Sequence, residues 1–215
     1  MFLFPTCFLC NAQTKKYKAI ITAMNIDYDG YVYLNLTGEN KGLIRIDVIK
    51  KLSTDTSFLS KTFGVSDKDN STFEINASLV SKVIIGMDTF YRYNLSDKNK
   101  PDEYKNRKEN FYVKKIYGTG DIRLFEWKDS HNKVSYYFKI PQEEELQNIN
   151  YLYFDTWNGS ILIAFRRCEK IKLRFRNEIA DATKYPFYNM KTDEEKLAVW
   201  KKLIDEYDAC ELKSK

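Results

Sequence analysis

Lys82-Val-Ile-Ile-Gly-Met-Asp-Thr-Phe-Tyr-Arg-Tyr93 decides how this chain folds, together with Phe111-Tyr-Val-Lys-Lys-Ile-Tyr117, Asp121-Ile-Arg-Leu-Phe-Glu-Trp127 and Val134-Ser-Tyr-Tyr-Phe-Lys-Ile140. Each run is short and rich in β-branched and aromatic residues, which pack well on a pleated, half-buried surface. Each is bounded by turn chemistry: Gly86-Met-Asp88 splits the first into a tight hairpin, Gly118-Thr-Gly120 joins the next two, and Asp129–Lys133 precedes the last. Thr72–Ile75 extends the pattern upstream. The stretch from Thr72 to Ile140 therefore predicts consecutive antiparallel hairpins, and its aromatic alternation is accounted for by sheet packing.

The same rhythm runs toward the N-terminus. Tyr17–Met24 reads as a strand, Asp27-Tyr-Asp29-Gly30 as a hairpin turn of the Asp-Gly type, and Tyr31–Leu36 and Leu43–Ile49 as strands around the turn Gly38–Gly42. Asp27-x-Asp29-Gly30 also touches the pattern of a calcium loop. Such a loop needs Glu at its twelfth position, where Gly38 stands, so the turn is the better reading. Ser96–Asn110, charged and carrying Pro101, reads as a loop.

Composition supports a globular chain: 215 residues, 43% hydrophobic and 30% charged, long enough for one sizeable core. The 35 basic and 30 acidic residues are interspersed, which describes a mixed solvated surface rather than a dedicated polyanion site. With 8 Gly and 4 Pro, a glycine-rich phosphate loop is not expected, and Gly118-Thr-Gly120 lacks the third glycine and the following helix.

Residues 1–12 are apolar and end at Ala12-Gln13, where the chain turns polar. This is the tail of a secretory signal, short and without its positive n-region, and it predicts an extracytoplasmic protein. A buried N-terminal strand of a cytosolic protein is the alternative. No other run reaches the length of a membrane helix. Cys7 and Cys10 fall inside the apolar leader and are not read as a redox pair. Cys168 and Cys210 remain. Either they are two buried thiols, or in an oxidising compartment they pair, closing a loop of about 40 residues worth on the order of 3–4 kcal/mol.

At Pro141 the character changes. Gln142–Ile149 predicts a short helix after a prolyl start. Ile161, Ala164, Phe165, Cys168, Ile171 and Phe175 recur at helical intervals. Thr192-Asp-Glu-Glu195 is a capping box, after which Leu197, Trp200, Leu203, Ile204, Tyr207 and Cys210 line one face of a helix, with Lys201, Lys202, Asp205 and Glu206 on the other. Arg166, Arg167, Lys170, Lys172, Arg174 and Arg176 form the one basic concentration, interleaved with Phe165 and Phe175. It is either the wet face of that helix or a binding surface, for single-stranded nucleic acid in a cytosolic protein and for an acidic lipid or polysaccharide in an exported one.

Catalytic residue types do not cluster. The single histidine, His131, lies in a turn beside Ser130, and one His with two cysteines gives no metal-ligand spacing. Glu143-Glu-Glu145 serves a helix start as readily as an acid–base pair. No catalytic residue, metal or cofactor is assigned.

Several motifs together resemble a large group of uncharacterised exported proteins common in Bacteroidota. They are the Ala12-Gln13 cut, Gly30-Tyr-Val32, Gly42-Leu-Ile44, Val83-Ile-Ile-Gly86-Met-Asp-Thr-Phe-Tyr91, the hairpin from Phe111 through Tyr117-Gly-Thr-Gly120 to Phe125, Tyr136-Tyr-Phe-Lys139, and the Cys168 and Leu203–Cys210 helices. The resemblance spans most of the chain and implies export and a β-rich body with a helical tail. It implies no activity.

The expectation is an α+β protein: a leader over 1–12, an antiparallel β-rich body over 17–140 (sheet or partly closed barrel), and a helical region over 142–210 packed on it in one compact unit. The expected function is a non-enzymatic exported envelope protein with a binding or structural role. Its expected partner is another envelope protein, a glycan or an anionic lipid. The alternatives are an Asp/Glu-dependent hydrolase and a cytosolic nucleic-acid binder using residues 164–176.

Overall fold

The computed structural model describes residues 14–37, 40, 42–52, 69–93, 95, 110–129, 131–140, 144–149, 165, 167–179 and 190–212. They form an α+β fold: an antiparallel ten-stranded sheet in the order β10-β9-β8-β7-β6-β5-β1-β2-β3-β4, with helices on one face of one end. The strands are β1 Lys15–Ala23, β2 Ile26–Leu34, β3 Leu43–Lys51, β4 Thr72–Asn76, β5 Val80–Ile85, β6 Asp88–Tyr93, β7 Phe111–Tyr117, β8 Arg123–Lys128, β9 Val134–Lys139 and β10 Gln147–Asn148. Two helices follow, α1 Glu169–Ile179 and α2 Asp193–Leu212.

Turn chemistry sets most of the register. Gly86 at φ +60° opens the two-residue reversal that pairs Ile85 with Asp88. Asp129 organises the next turn: its carboxylate accepts the backbone N–H groups of His131 and Lys133, each at 2.8 Å.

The Asp27–Gly30 turn is not there. All four residues lie within β2, and the reversal falls one step earlier, at Met24-Asn25, whose φ angles of 51° and 64° make the left-handed turn a hairpin requires. Gly30 has a different task. Between the pairs Asp29↔Lys50 and Gly30↔Val48, β3 carries an extra residue, Ile49, and a Cβ on Gly30 would stand 2.3 Å from the Asp47 carbonyl oxygen.

The β4–β5 connection shows that the first half of the sheet curls. β4 stands four places from β5 in the strand order, yet only Ala77–Leu79, one 3₁₀ turn, joins them. Four strand spacings in a flat sheet measure about 19 Å, whereas a 3₁₀ link of this length spans about 8 Å. The strands must therefore bend round until β4 and β5 approach. No ladder joins those two strands, so the curl stops short of a closed barrel.

Its concave face is a core of alternating residues: Ile21, Ile26, Tyr28, Val32, Leu34, Ile46 and Val83 among them. Tyr112 plugs the seam. Its hydroxyl lies 3.0 Å from the Ala77 carbonyl and 3.2 Å from that of Val80, and burial pushes the phenol well above its ordinary pKa. Tyr112→Phe removes that hydroxyl, while the Ala77 carbonyl keeps the Val80 N–H, and a loss of about 0.5–1.5 kcal/mol in urea unfolding is expected.

The other half, β7 to β10, buries both faces. Leu124 and Phe138 point to one side and their neighbours Phe125 and Tyr137 to the other. On the first side sit the helices. The Thr192–Glu195 capping box forms: the Glu195 N–H donates to Thr192 Oγ1 at 3.2 Å, and the Glu195 carboxylate accepts the N–H groups of Thr192 and Lys191. Those two backbone bonds hold the Glu195 carboxyl below its usual pKa. Leu197, Trp200, Leu203, Ile204 and Tyr207 are buried as the helical spacing requires, with Trp200 stacked on Phe138 at 4.5 Å between centroids.

Two helical expectations are corrected. Within residues 144–149 the chain forms β10, paired with β9, and not the helix expected over Gln142–Ile149. Leu146 and Ile149 are drawn to opposite sides of the sheet, which a strand edge satisfies and a short helix does not. The apolar spacing around Cys168 is only partly helical. Phe165 lies in a turn and α1 begins at Glu169, so Phe165, Cys168 and Ile171 reach the same core from different local structures. Positions 161 and 164 lie outside the described residues.

Candidate functional site

Of the basic cluster, Arg166 lies outside the described residues. Three of the others lie beside carboxylates. Arg167 Nη1 meets Asp121 in the β7–β8 loop at 3.0 Å, and Arg174 Nη1 meets Glu206 of α2 at 2.7 Å. Lys172 pairs with Glu169 one turn away on α1, and Lys170 is exposed. Three of these cations thus serve local pairs, each of the modest worth of a part-exposed ion pair. Arg167 ties the segment before α1 to the β7–β8 loop, Arg174 ties α1 to α2, and Lys172 pairs within α1.

Cys168 and Cys210, 42 residues apart in sequence, are joined by a disulfide with Cα atoms 5.8 Å apart. Cys168 is buried in the helix–sheet core, immediately before α1, and Cys210 is in the last turn of α2. The bridge ties the start of one helix to the end of the other.

Between the β7–β8 hairpin and α2 is a pocket of about 400 Å³. Its walls are Lys115, Ile116, Tyr117, Gly118 and Thr119 from β7 and its hairpin loop, with Asp205 and Asp208 from α2. Asp205 and Asp208 are three apart on a helix, which places them on one side of it. The Tyr117 hydroxyl donates to Asp205 Oδ1 at 2.6 Å, and this bond raises the Tyr117 pKa, as does the negative charge of Asp208. Lys201 stands 5.5 Å from the centroid of the Tyr117 ring. Gly118 takes φ +81°, and a Cβ on Gly120 would lie 2.8 Å from Asp208 Oδ1, so the loop approaches α2 closely because it lacks side chains there.

A second polar assembly covers the outer face of β1–β4. Lys16 lies 4.3 Å from the centroid of the Tyr31 ring, and Arg45 lies 5.0 Å from that of Tyr33. Asp47 gathers the group: it accepts from Arg45 Nε at 2.7 Å, from the Tyr33 hydroxyl at 2.7 Å and from Thr72 Oγ1 at 3.0 Å. The Arg45 bond first, then those from Tyr33 and Thr72, pull the Asp47 carboxyl from 3.8 down to about 2. A depressed folded-state pKa gives stability that is present above the unfolded value and is lost as pH falls through the folded one. The melting temperature is therefore expected to fall as pH drops from 3.8 towards about 2, and Asp47→Asn removes part of that slope. A pH series of thermal melts on both proteins checks it.

His131 is exposed, and Glu143 lies outside the described residues. Among the described residues no group of three or more His, Cys, Asp or Glu converges as a metal site would need, and no helix is long and apolar enough to cross a membrane. Compared with family models, curated proteins and solved structures, the chain matches none.

The pocket was not singled out by the sequence pattern. Its signal is faint: a Gly-x-Gly hairpin loop and, some ninety residues on, an Asp-x-x-Asp helix turn, brought together only by the docking of α2.

Proposed function

We propose that this is a non-enzymatic, exported cell-envelope protein with a binding role. One observation carries the reading: a pocket is walled on one side by α2, the helix that the Cys168–Cys210 disulfide anchors. Disulfides persist in oxidising compartments, and a concave site with a few convergent polar groups is the usual form of a ligand site. The apolar leader over 1–12 and the resemblance to exported Bacteroidota proteins support the compartment. The pairing of Arg167, Lys172 and Arg174 with carboxylates occupies cations that a polyanion would otherwise use, which favours the pocket over the basic segment as the binding surface.

Intact mass of the protein recovered from a Bacteroidota host, with and without reductant, tests the compartment. The expected species lacks residues 1–12 and gains two hydrogens on reduction. A full-length chain with free thiols sinks the proposal of export.

A further inference from the structure

We infer that the free edge of β4 takes up an extended segment of a partner protein, one with a basic residue between two apolar ones, as a further strand of the sheet. The inference is independent of the pocket and of the compartment proposed above.

Topology leaves this edge open. β4 ends the strand order, and β5, towards which it curls, already pairs with β1 and β6, so the sheet cannot close on itself there. The ladder to β3 fixes which backbone groups are left over. The Val48 N–H donates to the Ser71 carbonyl at 2.7 Å, and the Ala77 N–H donates to that of Gly42 at 3.0 Å. Bonding alternates along an antiparallel strand, so the backbone groups of Phe73 and Ile75 also face β3, while those of Thr72, Glu74 and Asn76 face away. The N–H groups of these last residues, with the carbonyls of Thr72 and Glu74, form a row on the open side, and all three residues are exposed. Lys, Pro and bulges commonly blunt such an edge, and β4 has none of them. A row of this kind is the template for strand addition.

The side chains name the occupant. Phe73 is half-buried and Ile75 buried, both on the concave face, so the added strand needs apolar residues beside them. Glu74 lies between them on the outer face and forms no ion pair among the described residues. Arg45, opposite it on β3, bonds Asp47 instead. From Asp69 to Ser81 the chain carries two carboxylates and no cation. A second copy paired through the same edge would line both sides of the seam with carboxylates, whereas Lys or Arg beside Glu74 makes a favourable cross-strand pair.

Amide NMR of the oxidised protein, titrated to millimolar concentration with the peptide Ser-Thr-Val-Lys-Val-Thr-Ser, tests the assignment. The same peptide with Glu in place of Lys is the control. The lysine peptide is expected to move the amides of Thr72, Glu74 and Asn76 and to slow their hydrogen exchange. The control is expected to bind about threefold more weakly or worse, the scale of an exposed ion pair. Glu74→Lys, at an exposed position, is expected to reverse the preference between the two peptides. N-methylation of the peptide's lysine, whose N–H faces β4, abolishes binding, and N-methylation of a valine, whose N–H points away, does not. A dispersed spectrum shows that the variant is folded. Amides of β4 that stay unmoved, or equal binding of the two peptides, overturn the inference. So do shifts at these amides that grow with protein concentration alone and accompany a dimer in sedimentation, which would assign the edge to a second copy.

Discussion

Trp200→Ala is expected to cost about 3–5 kcal/mol, the range for truncating a fully buried tryptophan. Trp200 has no exposed surface, stacks on Phe138 at 4.5 Å and lies 6.1 Å from Phe165, so its indole touches both the sheet and the turn before α1. Its removal leaves a cavity where the helices meet β9. Urea unfolding followed by far-UV circular dichroism measures the loss. Trp200→Phe, which keeps an aromatic ring there, is expected to lose much less. A cost for Trp200→Ala below about 1 kcal/mol would mean that α2 does not depend on this contact for its docking.

The second large effect is that of the disulfide. Replacing both cysteines, Cys168→Ala with Cys210→Ala, is expected to lower stability by about 3–4 kcal/mol, the chain-entropy value for a loop of this length. The double change is preferred to either single one because it leaves no lone thiol to mispair. Dithiothreitol should lower the unfolding free energy of the native protein in urea by a similar amount and leave that of the double variant unmoved. An equal response of the two proteins to reductant would contradict a role for the bridge in stability.

The hairpins were legible because their turns announce themselves. Gly86 and Asp129 supply left-handed backbone and carboxylate capping, both local properties that read directly from residue type. The capping box of α2 was equally plain. Asp27–Gly30 misled for an instructive reason: its glycine answers to a neighbouring strand, at a bulge that depends on how β3 pairs with β2. The true turn, Met24-Asn25, has no glycine to mark it. The helix expected over Gln142–Ile149 failed because the positions of Leu146 and Ile149 are dictated by two cores on opposite sides of a sheet that the segment joins. For the site, sequence pattern marked Cys168, Cys210 and the basic run. It placed Asp205 on the outer face of α2, and nothing local tells that this side meets the hairpin loop across a separation of 88 residues.

The short 3₁₀ bridge between β4 and β5 also bears on how the chain reaches its native state. β5 pairs with β6 across a two-residue turn, a contact made cheaply and early. Its other partner is β1, where Ile21 meets Val83 more than sixty residues away. Such a pairing meets the entropy of a large loop before it returns any contact, and topologies dominated by long-range pairs fold slowly. The intervening strands ease that search. Once β1 to β4 are zipped by their hairpins and the sheet has bent, the 3₁₀ turn delivers β5 to β1 with little chain left to close. The bend that shapes the N-terminal core would then set the folding rate, and refolding kinetics should slow most for substitutions in the β1–β5 ladder.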